Sequence, residues 1–317
     1  MSKLPVRIAS QALSAFQTGW LRQSHLYLHI GLHKTGTTYL QQQISAARPD
    51  LREEGLIFPT TGLGMGIFAG PRQGKMAGHI HFGHLFGNED WAQAGHLLPL
   101  LSREARIAKC RRILISVENA SYVRHPDRNP LSRHVLGKFG SVDILVYLRR
   151  WDRWIESLYK ERLEGGETRD FPTFLAEEAW LLDFPARLAE WERLCGPRIR
   201  LKVFDYDTAR RGAGLLGHFF TEALDGMTPP VERRSDKTAN PSLNASQSEA
   251  LRRFNTAERK TARSREKIDA FLNSAAFKTL EGSEGFFSEA ERETFLARFA
   301  DQNRQILARY DIDLLEP

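Results

Sequence analysis

The residues best suited to chemistry stand in one short stretch, residues 31–38, which joins an apolar run to a helical pattern. Two of them are glycines, one is a lysine, and three are threonines. Backbone N–H groups of a glycine-rich turn point towards an anion, and the N-terminus of the following helix favours negative charge. The stretch therefore predicts a loop that binds phosphate or sulfate. Its members are Gly31, Leu32, His33, Lys34, Thr35, Gly36, Thr37 and Thr38.

The spacing of this loop departs from that of nucleoside-triphosphate loops, which read GxxxxGK[ST]. Gly31 and Gly36 have the right separation, but Thr37 stands where the lysine belongs, and the only lysine of the loop is Lys34. The departure weakens the interpretation as a triphosphate site and leaves anion binding intact. A nucleotide kinase or NTPase stays open as an alternative, because the apolar run that ends at Glu118 could supply the metal-holding carboxylate of such enzymes.

A second group with anion-binding chemistry follows another apolar run, residues 143–148. Arg149 comes directly after that run, and Ser157 lies eight residues further on, in a helical pattern. An arginine offers a fork of donors and a serine a single hydroxyl. The spacing predicts that both side chains reach one phosphate group.

A carboxylate stands at the end of a third apolar run, residues 113–117. Because open α/β sheets bind ligands at the carboxyl ends of their strands, Glu118 is placed to take a proton from an acceptor. The HxHxxH string at 79–84 suggests a metal site, but a glycine-rich loop gives no rigid ligand geometry, so we expect no metal. Histidines that compete with Glu118 as the base are His33, His79, His81 and His84.

The elements that must position these groups alternate along the chain. Short, nearly unbroken apolar runs are typical of strands in a buried parallel sheet. Their alternation with helical patterns predicts an α/β fold, a three-layer sandwich with helices on both faces of a central parallel sheet. The predicted strands are 26–30, 112–117, 143–148 and 199–204, and the predicted helices between them are 38–48, 96–109, 151–164, 174–194 and 214–224.

Three further segments complete the organisation. Residues 60–95 are rich in glycine and histidine and are interpreted as a long loop or lid. Residues 1–24 form an N-terminal extension, and residues 25–317 form one domain. Its C-terminal part, about 246–317, is a helical addition with two long helices at 246–273 and 288–310.

Composition and charge exclude several classes of protein. The chain has 317 residues, of which 41% are hydrophobic, and only two cysteines, so disorder and a disulfide scaffold are excluded. No run of about 18 apolar residues exists, and we predict a cytoplasmic protein without a transmembrane segment. The net charge of +6 is too mild to indicate nucleic acid. Residues 249–269 carry seven basic and four acidic side chains, which leaves a non-catalytic binder of an anionic polymer as a second alternative.

The segment HKTGTTY at 33–39 resembles the 5′-phosphosulfate loop of the sulfotransferase family, which reads roughly PKSGTTW in many members. The longer string at 29–41 is similar to bacterial and carbohydrate-type members. The resemblance implies a P-loop-like fold and the use of 3′-phosphoadenosine 5′-phosphosulfate (PAPS), with 3′-phosphoadenosine 5′-phosphate (PAP) as product. It implies that Lys34 contacts the sulfuryl group and the leaving phosphate oxygen. The residues implied to hold the 5′-phosphate are Thr35, Gly36, Thr37 and Thr38.

Two other segments extend the resemblance, which covers roughly residues 25–312. Arg149 and Ser157 match the Arg-x7-Ser motif that binds the 3′-phosphate in this family, although Trp151 stands where many members have proline, which leaves Arg150 as a possible contact. A basic loop near the 3′-phosphate in family members corresponds loosely to Arg234 and Lys237.

The string SVENASY at 116–122 is similar to the strand-end segment of glycan sulfotransferases, in which a glutamate is the base. The corresponding residue here is Glu118. The reaction implied is transfer of a sulfuryl group from PAPS to a hydroxyl or amine by in-line displacement, without a metal. The acceptor is a small molecule or a glycan, and a carbohydrate or glycoconjugate is favoured.

Overall fold

The computed structural model describes residues 18–64, 78–118, 120–232, 242–258 and 265–316. The chain divides into two compact units. The first comprises Met1–Leu148 and Ala186–Arg233, and the second comprises Arg149–Pro185 and Arg234–Pro317. Arg234 and Lys237 lie outside the described residues. The helical segment predicted as a C-terminal addition falls in the second unit, together with residues 149–185.

A five-stranded sheet forms the centre of the first unit, in the order β2-β3-β1-β4-β5, with every neighbouring pair parallel. This finding confirms the predicted α/β fold with a central parallel sheet flanked by helices. All four predicted strands are present, and β2 was not predicted because two residues give no readable pattern. The strands are β1 (His25–His29), β2 (Leu56–Ile57), β3 (Arg112–Ser116), β4 (Ser141–Leu148) and β5 (Ile199–Asp205).

The helices follow the strands in alternation, as the patterns predict. In chain order they are α1 (Thr37–Ala46), α2 (Arg48–Glu53), α3 (Ile80–Gly87), α4 (Trp91–Ile107), α5 (Pro130–Leu136), α6 (Trp151–Gly165), α7 (Phe171–Glu177), α8 (Phe184–Glu192), α9 (Tyr206–Arg211), α10 (Gly214–His218), α11 (Ala245–Glu258), α12 (Arg265–Asn273), α13 (Ala275–Lys278), α14 (Glu289–Ala297) and α15 (Ala300–Tyr310). A π-helical segment, Phe219–Ala223, extends α10. None of the described helices is long and apolar enough to cross a membrane.

The register of the sheet places the ends of β1 and β3 side by side. β1 lies between β3 and β4, with His29 opposite Ser116 on one side and Leu145 on the other. β4 continues beyond β1 for three residues, which remain paired with β5. Because all strands run in one direction, the segments that follow β1 and β3 leave the sheet at the same edge.

Apolar packing holds α1 and α2 against one face of this sheet. Leu40 and Ile44 of α1 are buried in a core with Leu114 of β3 and Tyr147 of β4. Side chains on the opposite face of the strands, such as Ile115, are equally buried. Burial of both faces explains why β3 and β4 are apolar at nearly every position.

The interpretation of residues 60–95 as one long loop was wrong for part of the segment. α3 occupies Ile80–Gly87, and α4 begins at Trp91. The buried side chains Phe82, Leu85 and Phe86 explain α3, because apolar residues at i, i+3 and i+4 lie on one helix face. Their contribution outweighs the low helix propensity of glycine and histidine. Residues 65–77 lie outside the described part of the chain.

The second unit is built around aromatic side chains. Trp151, at the start of α6, stacks between Phe184 and Phe299, with ring centroids 5.3 and 4.9 Å away. Phe171 of α7 stacks on Phe286 at 4.7 Å. The single predicted helix 174–194 is in fact α7, a 3₁₀ turn and α8, because prolines at 172 and 185 each begin a new helix. The predicted helix 288–310 is likewise divided, into α14 and α15.

Candidate active site

The loop between β1 and α1 has the backbone shape expected for an anion site. Gly31, Lys34 and Gly36 all have positive φ angles, of 52°, 65° and 74°. Such angles are rare for a lysine and indicate that the surrounding loop determines the conformation of Lys34. Gly36 is the N-cap of α1 and carries no side chain that could cap the first N–H groups of the helix. Those donors are therefore open to an anion.

Both glycines of the loop are required by close contacts. A Cβ atom on Gly31 would lie 3.0 Å from Thr37 Oγ1 and 3.1 Å from the Cα atom of Glu118. A Cβ atom on Gly36 would lie 2.3 Å from Leu215 Cδ2. Each distance is shorter than ordinary van der Waals contact, and the positive φ angles add strain for any other residue.

The three threonines of the loop differ in what their hydroxyls do. Thr35 is buried and donates its hydroxyl hydrogen to the carbonyl oxygen of Leu32 at 2.6 Å, which closes the turn. Thr37 is also buried, but its Oγ1 has no hydrogen-bond partner among the described residues. The side chain of Thr38 is exposed. A buried hydroxyl without a partner is costly, so a bound oxyanion would satisfy Thr37.

Glu118 lies directly against this loop. The backbone N–H of Val117 donates to the carbonyl of His29 at 2.7 Å, and the N–H of Ser121 donates to the carbonyl of Ile30 at 3.2 Å. These two bonds tie the segment after β3 to the start of the phosphate loop. The structure thus brings together the anion loop and the predicted base, and Glu118 is partly exposed to solvent.

The histidines that compete with Glu118 have different environments. His79 is fully buried, its Nδ1 accepts from the N–H of Ser116 at 3.2 Å, and its Nε2 therefore donates to the carbonyl of Pro59 at 2.9 Å. Burial lowers the pKa of His79 to about 4. With both ring nitrogens engaged by backbone groups, His79 serves the structure. His33 is partly exposed and packs edge-on against Tyr122.

The two remaining histidines, His81 and His84, lie on α3. His81 is partly buried, 3.3 Å from the side-chain nitrogen of Gln93, and His84 is exposed. Among the described residues, the histidines of the HxHxxH string form no group of three close potential metal ligands. The one such group there consists of His25, Asp143 and Asp225. Lys202 donates to both of its carboxylates and Arg200 donates to Asp143, so two cationic side chains already balance the two negative charges.

Arg149 and Ser157 belong to the second unit and are both partly buried. Arg149 directly follows Leu148, the last residue of β4. Its neighbour Arg150 forms a two-pronged ion pair with the fully buried Asp152, with Nε–Oδ1 and Nη2–Oδ2 distances of 2.7 and 2.9 Å. Arg292 also donates to Asp152. The fork of Arg150 is therefore engaged by this carboxylate.

No protein-family model matches the chain. The chain is 30% identical over 169 residues to an uncharacterized protein from Archaeoglobus fulgidus, a match that covers 53% of this chain and 45% of that protein. The chain therefore spans less than half the length of the curated relative it matches. Among solved structures it is similar to a sulfotransferase from Alicyclobacillus acidocaldarius, with a TM-score of 0.42 and 14% identity over 77% of this chain and 98% of that one.

Sequence reasoning missed a layer of buried polar residues beneath the loop. His29, Gln41, His79 and Ser116 are all at least nine-tenths buried and are hydrogen-bonded to one another. The available signal was the presence of His29 and Ser116 inside otherwise apolar strands. A polar residue at a buried strand position needs a partner, but the sequence alone does not say which one.

Proposed function

We propose that this protein is a sulfotransferase that transfers a sulfuryl group from PAPS to a hydroxyl or amine acceptor. One observation carries the proposal: the candidate base Glu118 lies against Gly31, at the start of a loop built for an anion. A carboxylate next to a phosphate loop without the usual lysine suits deprotonation of an acceptor better than transfer from a triphosphate.

The residues of the loop fit the phosphosulfate end of PAPS. The buried Thr37 hydroxyl lacks a partner among the described residues, and the first N–H groups of α1 have no side-chain cap. Lys34 supplies the positive charge of the loop. The resemblance of residues 33–39 to the sulfotransferase phosphosulfate loop supports the same assignment. In this proposal Thr35 and Gly36 bind through their backbone N–H groups, while Thr37 and Thr38 also offer hydroxyls.

Each residue then has a defined task. Bound PAPS supplies the sulfuryl group and releases PAP. Glu118 accepts the proton of the acceptor hydroxyl as the acceptor oxygen forms its bond to sulfur. The bond between sulfur and the 5′-phosphate oxygen breaks, and its electron pair stays on that oxygen. Lys34 and the loop N–H groups stabilise the negative charge on the sulfuryl and phosphate oxygens.

The assignment of the 3′-phosphate rests on the Arg-x7-Ser motif. We assign its binding to Arg149 and Ser157, which match that motif residue by residue. Arg234 and Lys237 are proposed to contribute from the basic loop. Binding energy from this remote phosphate would help to fix the reacting group.

The acceptor class is proposed from the strand-end segment at 116–122, whose resemblance favours a carbohydrate or glycoconjugate. Cytoplasmic location stays a prediction. The kinase alternative is disfavoured because Thr37 occupies the position of the triphosphate lysine. The anionic-polymer alternative gains no support from Arg252 and Arg253 of α11, since both are paired with Glu249.

A calorimetric binding experiment tests the proposal directly. We expect PAP to bind without magnesium and ATP with magnesium to bind weakly or not at all. The matched pair of nucleotides is PAP and AMP, which differ only in the 3′-phosphate. Transfer of ³⁵S from labelled PAPS to a panel of glycans then identifies the acceptor, with Lys34→Ala as the inactive control. Binding of ATP with magnesium in preference to PAP would contradict the proposal.

A further inference from the structure

The hydroxyl of Ser116 is the centre of the buried polar layer beneath the phosphate loop. Its Oγ accepts a hydrogen bond from Gln41 Nε2 at 3.0 Å and shares another with His29 Nδ1 at 2.9 Å. Ser116 is 1% exposed, His29 0% and Gln41 5%. The three side chains come from β3, β1 and α1, so one hydroxyl joins three different elements.

Each of these elements carries a residue of the candidate site a short distance further on. Ser116 lies two residues before Glu118 on the strand that delivers it. His29 lies two residues before Gly31, where the phosphate loop begins. Gln41 lies one helical turn after Thr37 on the same helix. The Ser116 hydroxyl therefore connects the supports of the base, the loop and the helix N-terminus.

The backbone of Ser116 is fixed as well, through His79. The N–H of His79 donates to the carbonyl of Ser116 at 2.8 Å, and His79 Nδ1 accepts from the N–H of Ser116 at 3.2 Å. β2 stops pairing with β3 at Ile57, and His79 satisfies the backbone groups of Ser116 beyond that point. His79 also donates to Pro59, which follows β2.

The buried polar layer carries a free-energy cost of desolvation, and apolar packing does not require such a layer. Gln41, His29 and Ser116 lose their contacts with water, and His29 Nε2 has no partner among the described residues. Apolar side chains of similar volume would avoid that cost. A hydrogen bond with defined direction, in contrast, sets the relative position of the groups that it joins.

We infer that Ser116 is a positioning residue that holds Glu118 in register with the phosphate loop. The inference rests on the proposed function, because it gives Glu118 the role of base. Since Ser116 contacts no reacting atom in this scheme, it acts only through the placement of Glu118. A small displacement of a base is sufficient to reduce turnover strongly while ligand binding is retained.

Kinetics of Ser116→Ala test the inference, with water as the acceptor because the natural acceptor is not identified. The measured quantities are the rate of [³⁵S]sulfate release from saturating labelled PAPS and the affinity for PAP by calorimetry. We expect turnover to fall about tenfold or more and the affinity for PAP to change less than about threefold. Ser116→Cys, which keeps a weaker donor and acceptor, should recover part of the turnover.

A double-mutant cycle separates positioning from general stability. In a Glu118→Gln background, Ser116→Ala should cause no further loss of turnover, because the group that it positions is absent. Leu114→Ala is the matched control, since Leu114 lies on the same strand and face and is fully buried in the apolar core with Leu40 and Ile44. Leu114→Ala should lower the melting temperature and leave turnover per folded molecule unchanged.

The outcomes that overturn each proposal differ. Equal effects of Ser116→Ala on turnover in the wild-type and Glu118→Gln backgrounds would contradict positioning of Glu118. If Ser116→Ala and Leu114→Ala have the same effects on turnover and melting temperature, Ser116 only stabilises the fold. A wild-type protein that neither binds PAP nor releases sulfate from PAPS would instead contradict the proposed function.

Discussion

Gly31 and Glu118 are in direct backbone contact: a Cβ atom at position 31 would come within 3.1 Å of the Cα atom of Glu118. The contact joins the first residue of the phosphate loop to the candidate base on the neighbouring strand. No residue other than glycine fits at position 31 without moving either the loop or Glu118. Substitution of Gly31 therefore tests the importance of this contact.

Gly31→Ala is expected to abolish turnover and to weaken binding of PAP at least tenfold. The added methyl group would press on Glu118 and on Thr37 Oγ1, and alanine is disfavoured at the φ angle of 52°. Gly95→Ala on α4 is the control, because a Cβ atom there meets nothing within 4 Å. That exposed helical position should gain up to about 1 kcal/mol in the free energy of unfolding. Unchanged binding and turnover in Gly31→Ala would show that the contact has no role in the site.

Glu118→Gln is expected to keep the affinity for PAP and to lose turnover by about 10²- to 10⁴-fold, the usual contribution of a general base. The amide has nearly the same shape as the carboxylate but cannot accept the proton. Calorimetry with PAP and ³⁵S transfer from PAPS give the two quantities. Turnover close to that of the wild-type protein would remove Glu118 as the base and turn attention to the partly exposed His33.

The sequence predicts those parts of the site whose residues lie close together along the chain, and not the contacts between distant segments. The phosphate loop was predictable because all its groups lie within eight consecutive residues. Strands β1, β3 and β4 were predictable because burial on both faces makes them largely apolar, whereas the edge strand β5 has an exposed Arg200 and only one fully buried side chain, that of Val203. The contact of Gly31 with Glu118 depends on which strands are neighbours and in what register, and neither is written locally.

The remaining differences arise from tertiary packing. α3 escaped prediction because its glycines and histidines indicate a loop, whereas burial of Phe82 and Phe86 determines the outcome. The hydrogen bonds of His79 were harder still to predict, because its partners Pro59 and Ser116 lie 20 and 37 residues away in the sequence. Nothing in the glycine-rich segment around His79 indicates that its ring hydrogen-bonds to the backbone of a strand.

Arg149→Lys is expected to weaken binding of PAP about tenfold or more and to leave binding of AMP unchanged, because the arginine fork would bind the 3′-phosphate that AMP lacks. Arg150→Ala provides the contrast. It removes one of two arginine partners of the buried Asp152 and should cost less than the about 3–5 kcal/mol of an uncompensated buried charge, because Arg292 still donates to that carboxylate. The ratio of PAP to AMP affinity should be preserved in the protein that stays folded. A loss of this ratio in Arg150→Ala, and not in Arg149→Lys, would reverse the assignment of the two arginines.

Acid is expected to destabilise the first unit through two buried histidines. Burial lowers the pKa of both His29 and His79 from about 6.5 to about 4. The folded state therefore binds fewer protons than the unfolded state between these values, so stability present above pH 6.5 is lost as the pH falls towards 4. The slope is about 1.4 kcal/mol per pH unit for each histidine.

Urea unfolding of the wild-type protein and of His79→Gln at pH 7, 6 and 5 measures this effect. The variant should be less stable at pH 7, since glutamine does not reproduce both bonds of the ring, but its stability should fall less steeply with pH. Groups that titrate in both proteins cancel in the comparison. Parallel pH profiles would contradict the assignment of a neutral, buried imidazole at position 79.

Asp143→Asn is expected to destabilise the protein by about 3–5 kcal/mol without affecting the binding of PAP per folded molecule. Asp143 is 1% exposed and lies near the start of β4, opposite to the strand ends that carry the loop; it pairs with Arg200 and Lys202, each at 2.9 Å. Burial by itself raises the pKa of Asp143, but hydrogen bonds with His25, Arg200 and Lys202 outweigh that effect and hold the pKa well below its usual range. The stabilisation is therefore complete above the ordinary carboxyl pKa near 3.9 and is lost as the pH falls below it.

Asp301→Asn is the control variant. It breaks an exposed ion pair with Arg304 and should cost less than about 1 kcal/mol. Equal losses for the two variants in urea unfolding at pH 7 would show that the buried network contributes no more than a surface ion pair.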